Sequence, residues 1–154
     1  MKQSPGERNQ RHNLEASFFS AGGFLGDDPR PLDEIIAADE RALEKAGVSR
    51  EQLVDALKDI YQRAKEGFGA PIALDEHRSV TFHESMGRIP SPFRGDGVFE
   101  KGEAVLTDAR TEEHLIITAL SIALIEKHGF FQGTGSRYRI DPAQAVRLLG
   151  IGER

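Results

Sequence analysis

Four arginines in the second half of the chain are candidates for binding an anion. Arg88 and Arg94 flank a proline-containing stretch, and Arg137 and Arg139 stand two residues apart in a later segment. A planar guanidinium can donate two parallel hydrogen bonds to a carboxylate or a phosphate. The sequence is therefore compatible with a cationic pocket for a small anionic ligand, and loop-anchoring salt bridges at a solvated edge are the slightly favoured interpretation.

Four further residues could supply a polar or acid–base group to such a pocket: Asp39, His83, Glu84 and Asp96. Asp39 is the most informative, because its helical angle places it in the middle of an apolar stripe. A buried carboxylate is unfavourable unless it is paired, so an arginine or several N–H donors should meet it. A structural salt bridge is the favoured interpretation, and an acid–base catalyst in a pocket is the alternative.

Other catalytic chemistries have no positive signal in the sequence. The chain has no cysteine, which excludes disulfides and thiolate catalysis. No histidine pair has the spacing of a helical zinc site, and no serine stands in a Gly-x-Ser-x-Gly turn. No metal site is predicted, no cofactor is indicated, and whether the chain is an enzyme stays open.

The segment GFFQGTGSRYRIDP, residues 129–142, has two interpretations. Its glycines could cradle a phosphate, but they follow a helix, and no lysine comes after them as in a phosphate-binding loop. Residues 137–140 alternate in character, and Gly133 and Gly135 can take the positive φ angles of a tight turn. The segment therefore predicts a β-hairpin that precedes a short last helix starting at Asp141-Pro142.

Two amphipathic helices are predicted to form a hairpin in the first half of the chain. The first begins near Pro31 and ends at Gly47, which suits a left-handed cap. The second begins after Ser49, with Gln52 three residues later completing a capping box.

Strands are predicted where the hydrophobic period changes from 3.6 to 2. Residues 78–84 alternate, and a second strand is predicted over 98–106. The loop between them, residues 85–97, is longer than most loops in compact domains, so it is the favoured position for a site.

A buried central helix is predicted over Leu115–Ile125, where nearly every residue is apolar. Asp108 or Thr111 would cap its start, and Gly129 would stop it. The predicted fold class is α+β: a helical hairpin and this central helix packed with two antiparallel β-hairpins. Residues 1–26 are expected to form a flexible or irregular arm, and residues 27–154 a single domain.

The composition is that of one small soluble domain. The chain has 154 residues and a formal net charge of −5. Its polar start is unlike a secretory signal, and its longest apolar run is about half a membrane span, so a cytoplasmic protein is expected.

Three functions are compatible with this sequence. The favoured one is a binding or interaction module that self-associates as a homodimer, because its apolar surface is in excess. The alternative is a small enzyme or receptor domain for an anionic metabolite. The order of elements also fits a winged-helix-like nucleic-acid binder, but the eight outward positions of the second helix (51, 52, 55, 58, 59, 62, 63 and 66) include four acids and two bases. Such a helix is unsuited to a phosphate-lined groove, so nucleic-acid binding is disfavoured.

Overall fold

The computed structural model of the protein describes residues 23–152. Its helices are α1 Leu32–Lys45, α2 Arg50–Glu66, α3 Ala119–His128 and α4 Pro142–Leu149. Its strands are β1 Ile72–Ala73, β2 Arg78–His83, β3 Arg88–Pro90, β4 Val98–Glu100, β5 Glu103–Asp108 and β6 Glu113–Thr118. This composition confirms the predicted α+β class.

The two predicted helices form where the local signals place them, but α1 packs mainly on α4 and α2 on α3 rather than on each other as a hairpin. Gly47 has a φ of 73°, and the amide of Val48 returns to the carbonyl of Leu43, which closes the end of α1. The Ser49 hydroxyl accepts from the amide of Gln52, whose side chain in turn accepts from the amide of Ser49. All eight outward positions of α2 are exposed, so its mixed, acidic face meets solvent.

Strands β1, β2, β5 and β6 form one antiparallel sheet in that order. One face of this sheet is buried in the main core together with the apolar side of α2. The buried apolar residues of this sheet face are Val80, Phe82, Ala104, Leu106, Leu115 and Ile117. The alternation that predicted β2 is thus the alternation between core and outer face.

The predicted central helix is wrong in its first half. Residues 113–118 form β6, and the helix begins only at Ala119. The β-branched residues at 116–118 favour a strand. The sequence alone did not reveal it, because a short buried strand and a buried helix have the same apolar composition. The Thr118 hydroxyl, rather than Asp108 or Thr111, caps the helix by accepting from the amide of Ser121. In the remaining helix, residues 120–125 are all buried.

The strand predicted over 98–106 is two strands in different sheets. Strand β4 pairs with β3, whereas β5 pairs with β2 and β6. The break falls at Gly102, where a Cβ atom would lie 2.2 Å from the Phe82 ring. The predicted loop 85–97 therefore contains β3, and the β3–β4 hairpin is an insertion between two neighbouring strands of the main sheet.

The hairpin predicted within residues 129–142 is also wrong, because this described segment contains turns and no strand. Its glycines serve close packing instead. A Cβ at Gly133 would lie 2.2 Å from the carbonyl oxygen of Leu25, and the amide of Gly133 donates to the carbonyl of Phe24. Residues 24–28 and 133–136 thus lie against each other, at a separation that side chains would prevent.

Residues 1–22 of the predicted arm lie outside the described residues. Of the rest, Phe24 and Leu25 are buried in a second apolar cluster beside α1 and α3. Phe93, from the β3–β4 hairpin, belongs to the same cluster and stacks on the His128 ring with centroids 3.8 Å apart. This cluster attaches the inserted hairpin to the end of α3.

Candidate functional site

The four candidate arginines do not converge on one pocket. Arg88 and Arg94 are exposed on the β3–β4 hairpin, and Arg88 lies opposite Glu100 in its register. Arg137 and Arg139 do not share a face, because no strand forms there. Arg137 is exposed, whereas Arg139 points into the protein.

Asp39 is buried, and Arg139 meets it, as the sequence argument requires. The two guanidinium nitrogens of Arg139 lie 3.0 and 2.9 Å from the two carboxylate oxygens. The same guanidinium donates to the backbone carbonyl of Gln132 at 2.6 Å. Hydrogen bonding to Asp39 raises the pKa of Arg139, so this arginine keeps its charge. The Arg139 guanidinium and the Asp39 carboxylate bind each other, which agrees with a structural salt bridge rather than an acid–base catalyst.

Asp96 is paired with a histidine rather than with an arginine. One carboxylate oxygen of Asp96 lies 2.8 Å from Nε2 of His128 and accepts from the Ser91 hydroxyl at 2.9 Å. Burial acts to raise the pKa of Asp96, but these two hydrogen bonds together with the charges of His128 and Lys127 outweigh burial, and the pKa is lowered. His83 and Glu84 are exposed at the end of β2. The candidate acid–base residues are therefore not brought together.

A cavity of about 310 Å³ lies at the base of the β3–β4 hairpin, and it is called the basal pocket here. Its apolar wall consists of Phe24, Ile89 and Leu120. Its rim carries Glu100, Lys101, Glu103 and Arg137. Its polar lining includes Thr118, Gln132, Ser136 and Tyr138. A mostly apolar cavity with a few convergent polar groups is the usual form of a small-molecule site.

Gln132 is the central polar residue of the pocket floor. Its side chain is 3% exposed and accepts from the Ser136 hydroxyl at 2.6 Å. Its φ is 73°, a left-handed conformation that is unfavourable for a residue with a Cβ. The hydrogen bond from Arg139 to its carbonyl helps to hold this conformation. Strained, well-supported backbone of this kind clusters at binding sites.

The Thr118 hydroxyl extends the polar floor, and it is hydrogen-bonded to Ser121, which does not line the pocket itself. The hydroxyl oxygens of Thr118 and Ser121 lie 2.8 Å apart, and the side-chain Nε2 of Gln132 lies 3.5 Å from the Ser121 oxygen. A buried polar group is costly unless hydrogen-bonded, and these groups largely satisfy one another. The result is a preorganised set of hydrogen-bonding groups below an apolar wall and a charged rim.

The rim of the pocket pairs a tyrosine with a carboxylate. The Tyr138 hydroxyl donates to Glu103 at 2.5 Å, and Arg137 lies 3.7 Å from the other oxygen of that carboxylate. Burial raises the pKa of Tyr138, and its bond to Glu103 acts in the same direction, so Tyr138 is a donor rather than a base. Glu100 is paired with Lys65 at 2.9 Å. Among residues 23–152, Lys101 has no ion-pair partner.

Sequence reasoning identified only Arg137 among the residues of this pocket. Thr118 is a polar position in the otherwise apolar run 115–125, and it is the one local signal that marks the floor. Glu103 and Tyr138 are 35 residues apart and meet only through the fold. Gln132 gave no signal, because nothing local requires a left-handed glutamine there.

No family model, curated protein or solved structure matches this chain. Within residues 23–152, no three histidine, aspartate or glutamate side chains are placed to hold a metal ion. Nor does any helix in that range combine the length and the apolar character needed to cross a bilayer.

Proposed function

We propose that this chain is a binding domain for a small organic anion that has an apolar body and a carboxylate or phosphate group. The observation that carries the proposal is the floor of the basal pocket, where Gln132 is buried, strained and held from three sides. An apolar ligand body would contact Phe24, Ile89 and Leu120, while its polar atoms replace water at Gln132 and Thr118.

The anionic group is assigned to the rim of the pocket. Both acids of the rim are already engaged: Glu100 with Lys65, and Glu103 with Tyr138. Lys101 and Arg137 therefore retain the capacity to attract a second anion. Arg137 is 61% exposed on its side chain and lies 3.7 Å from Glu103, so its present ion pair is weak. The size of the cavity, near the lower end for small-molecule sites, limits the ligand to a small one.

Ligand-dependent stabilisation tests this proposal. Carboxylates and phosphate monoesters with short aliphatic or aromatic bodies are screened as two separate sets by thermal unfolding, and hits are measured by calorimetry. A ligand present at 100 times its Kd adds about 2.7 kcal/mol to the unfolding free energy. We expect stabilisation by one set, with affinity falling about tenfold in Arg137→Gln and in Lys101→Gln, as for loss of a charged hydrogen bond.

Arg94→Gln is the matched control, because it removes an exposed arginine outside the basal pocket. Equal affinity for wild type, Arg137→Gln and Lys101→Gln would exclude the rim as the anion site. A screen without stabilisation by either set would contradict the proposal as a whole. Self-association stays a prediction from the sequence, and light scattering on the purified chain tests it.

A further inference from the structure

The ladder between β1 and β2 ends before β2 does. Strand β1 pairs only with Ser79 and Val80, through Ala73 and Ile72. The carbonyl of Arg78 accepts from the Leu74 amide on the β1 side. Backbone groups alternate sides along a strand, so those of Phe82, four residues after Arg78, face this side too. No described residue pairs with Phe82 there.

The turn before β1 explains why the ladder stops. Continuing the register of Ile72 with Val80 would place Ala70 opposite Phe82. The amide of Ala70 instead donates to the carbonyl of Gly67 in a tight turn. The chain thus leaves the sheet and uncovers the end of β2.

The same turn displays an aromatic side chain to solvent. Phe68 is 95% exposed and has a φ of 50°, which is unusual for a bulky residue. Met86, just beyond β2, is 94% exposed. Isolated exposed apolar residues are ordinary, but these two stand at the two ends of one concave surface.

That surface is a groove along the uncovered end of β2, called the edge groove here. It consists of two hollows of about 540 and 270 Å³ that share Lys65, Phe82 and Glu84. Phe68 lines the first hollow and Met86 the second.

Charge in the edge groove is unbalanced. Lys65 is paired with Glu100, whereas Glu84 is exposed and has no ion-pair partner among residues 23–152. A positively charged group of an occupant would therefore be favoured beside Glu84.

We propose that the edge groove binds an extended peptide segment of another protein by strand addition. The peptide backbone pairs with Phe82 and continues the sheet where β1 stops, which is why an extended chain, rather than a helix, fits there. Alternate apolar side chains of the peptide contact Phe68 and Met86, and a basic side chain lies beside Glu84. This surface is distinct from the floor of the basal pocket, although Ser85 and Glu100 line both.

A library of displayed random peptides, selected on the immobilised full-length chain, tests the proposal. Enriched peptides should combine apolar residues at alternate positions with a lysine or arginine. Their affinity, measured by fluorescence anisotropy, should fall about tenfold in Phe68→Ser and in Met86→Ser, as for other exposed anchor residues. Methylation of alternate peptide amides should abolish binding, because it removes the donors that a strand requires.

Val98→Ser is the matched control, since Val98 is another exposed apolar residue, on β4 outside the groove, and should leave affinity unchanged. Absence of enrichment, or equal binding of the methylated peptides, would overturn strand addition. A dimer in light scattering that Phe68→Ser converts to monomer would also overturn the proposal, because it would assign the groove to a second copy of this chain.

Discussion

The carboxylates of Asp39 and Asp96 are both largely shielded, with side chains 6% and 10% exposed, but their partners differ in chemistry. Asp39 forms a two-point ion pair with Arg139, and that pair also fixes the backbone of Gln132 in the pocket floor. Asp96 forms one hydrogen bond with His128 of α3 and another with Ser91 inside the β3–β4 hairpin. The first pair lies where segments 100 residues apart meet. The Asp96–His128 pair joins the inserted β3–β4 hairpin to α3.

The difference indicates that substitutions in the two regions should lower the stability of the protein by different amounts. An arginine keeps its charge at every working pH, so the partner of Asp39 never changes. A buried charge without its partner is strongly destabilising, and Asp39 would be one if Arg139 were lost. The hairpin depends instead on the apolar contact of Phe93 and on a modest polar contribution from Asp96.

Breaking the Asp39 pair should give the largest effect. In Arg139→Met, Asp39 is left buried without a cation, and we expect a loss of about 4 kcal/mol in the unfolding free energy. Denaturant titration measures it. Arg94→Met, at an exposed arginine, should change stability by less than about 0.5 kcal/mol. The double variant Asp39→Asn with Arg139→Met should regain part of the loss, and failure to regain any would show that the unpaired charge is not its cause.

Removing the anchor of the hairpin should give the next largest effect. Phe93 is 4% exposed between His128 and Phe130, and Phe93→Ala should cost about 3 kcal/mol. Hydrogen exchange should show lost protection in residues 88–100, with β5 and β6 still protected. Uniform loss across both sheets would mean that the insertion and the main sheet unfold as one unit.

The smallest effect is expected from the Asp96 contact, and it depends on pH. Because the folded-state pKa of Asp96 lies below its unfolded value of about 3.9, its contribution is present above that pH and is lost as pH falls through the folded pKa. Asp96→Asn should therefore cost about 1 kcal/mol at pH 7 and progressively less below about pH 4. Denaturation of both proteins across this range measures the difference.

Glu84→Gln is the control for that series, since the exposed Glu84 has no ion-pair partner in the described part of the chain. Its difference from wild type should stay near zero at every pH. A difference for Asp96→Asn that grows on acidification would contradict the assigned direction of the pKa shift.

Features that depend on neighbours in the chain were predictable. The capping box of Ser49 and Gln52, the end of α1 at Gly47 and the start of α4 at Asp141 each involve residues within one helical turn. Asp39 was also correctly placed in an apolar stripe, since helical angle alone decides that. The split of residues 113–128 into a strand and a helix was not predictable in the same way. A buried strand and a buried helix both consist of apolar residues, so an apolar run fits either one.

By itself, the amino-acid sequence determined the α+β composition, the two amphipathic helices α1 and α2, and the need of Asp39 for a cationic partner. These follow from short-range sterics, hydrogen bonding and the cost of burying a charge. Only the tertiary structure decided which arginine meets Asp39, that Gln132 forms the pocket floor, and that β1 leaves the end of β2 uncovered. Each of these depends on contacts between segments whose register no local pattern specifies.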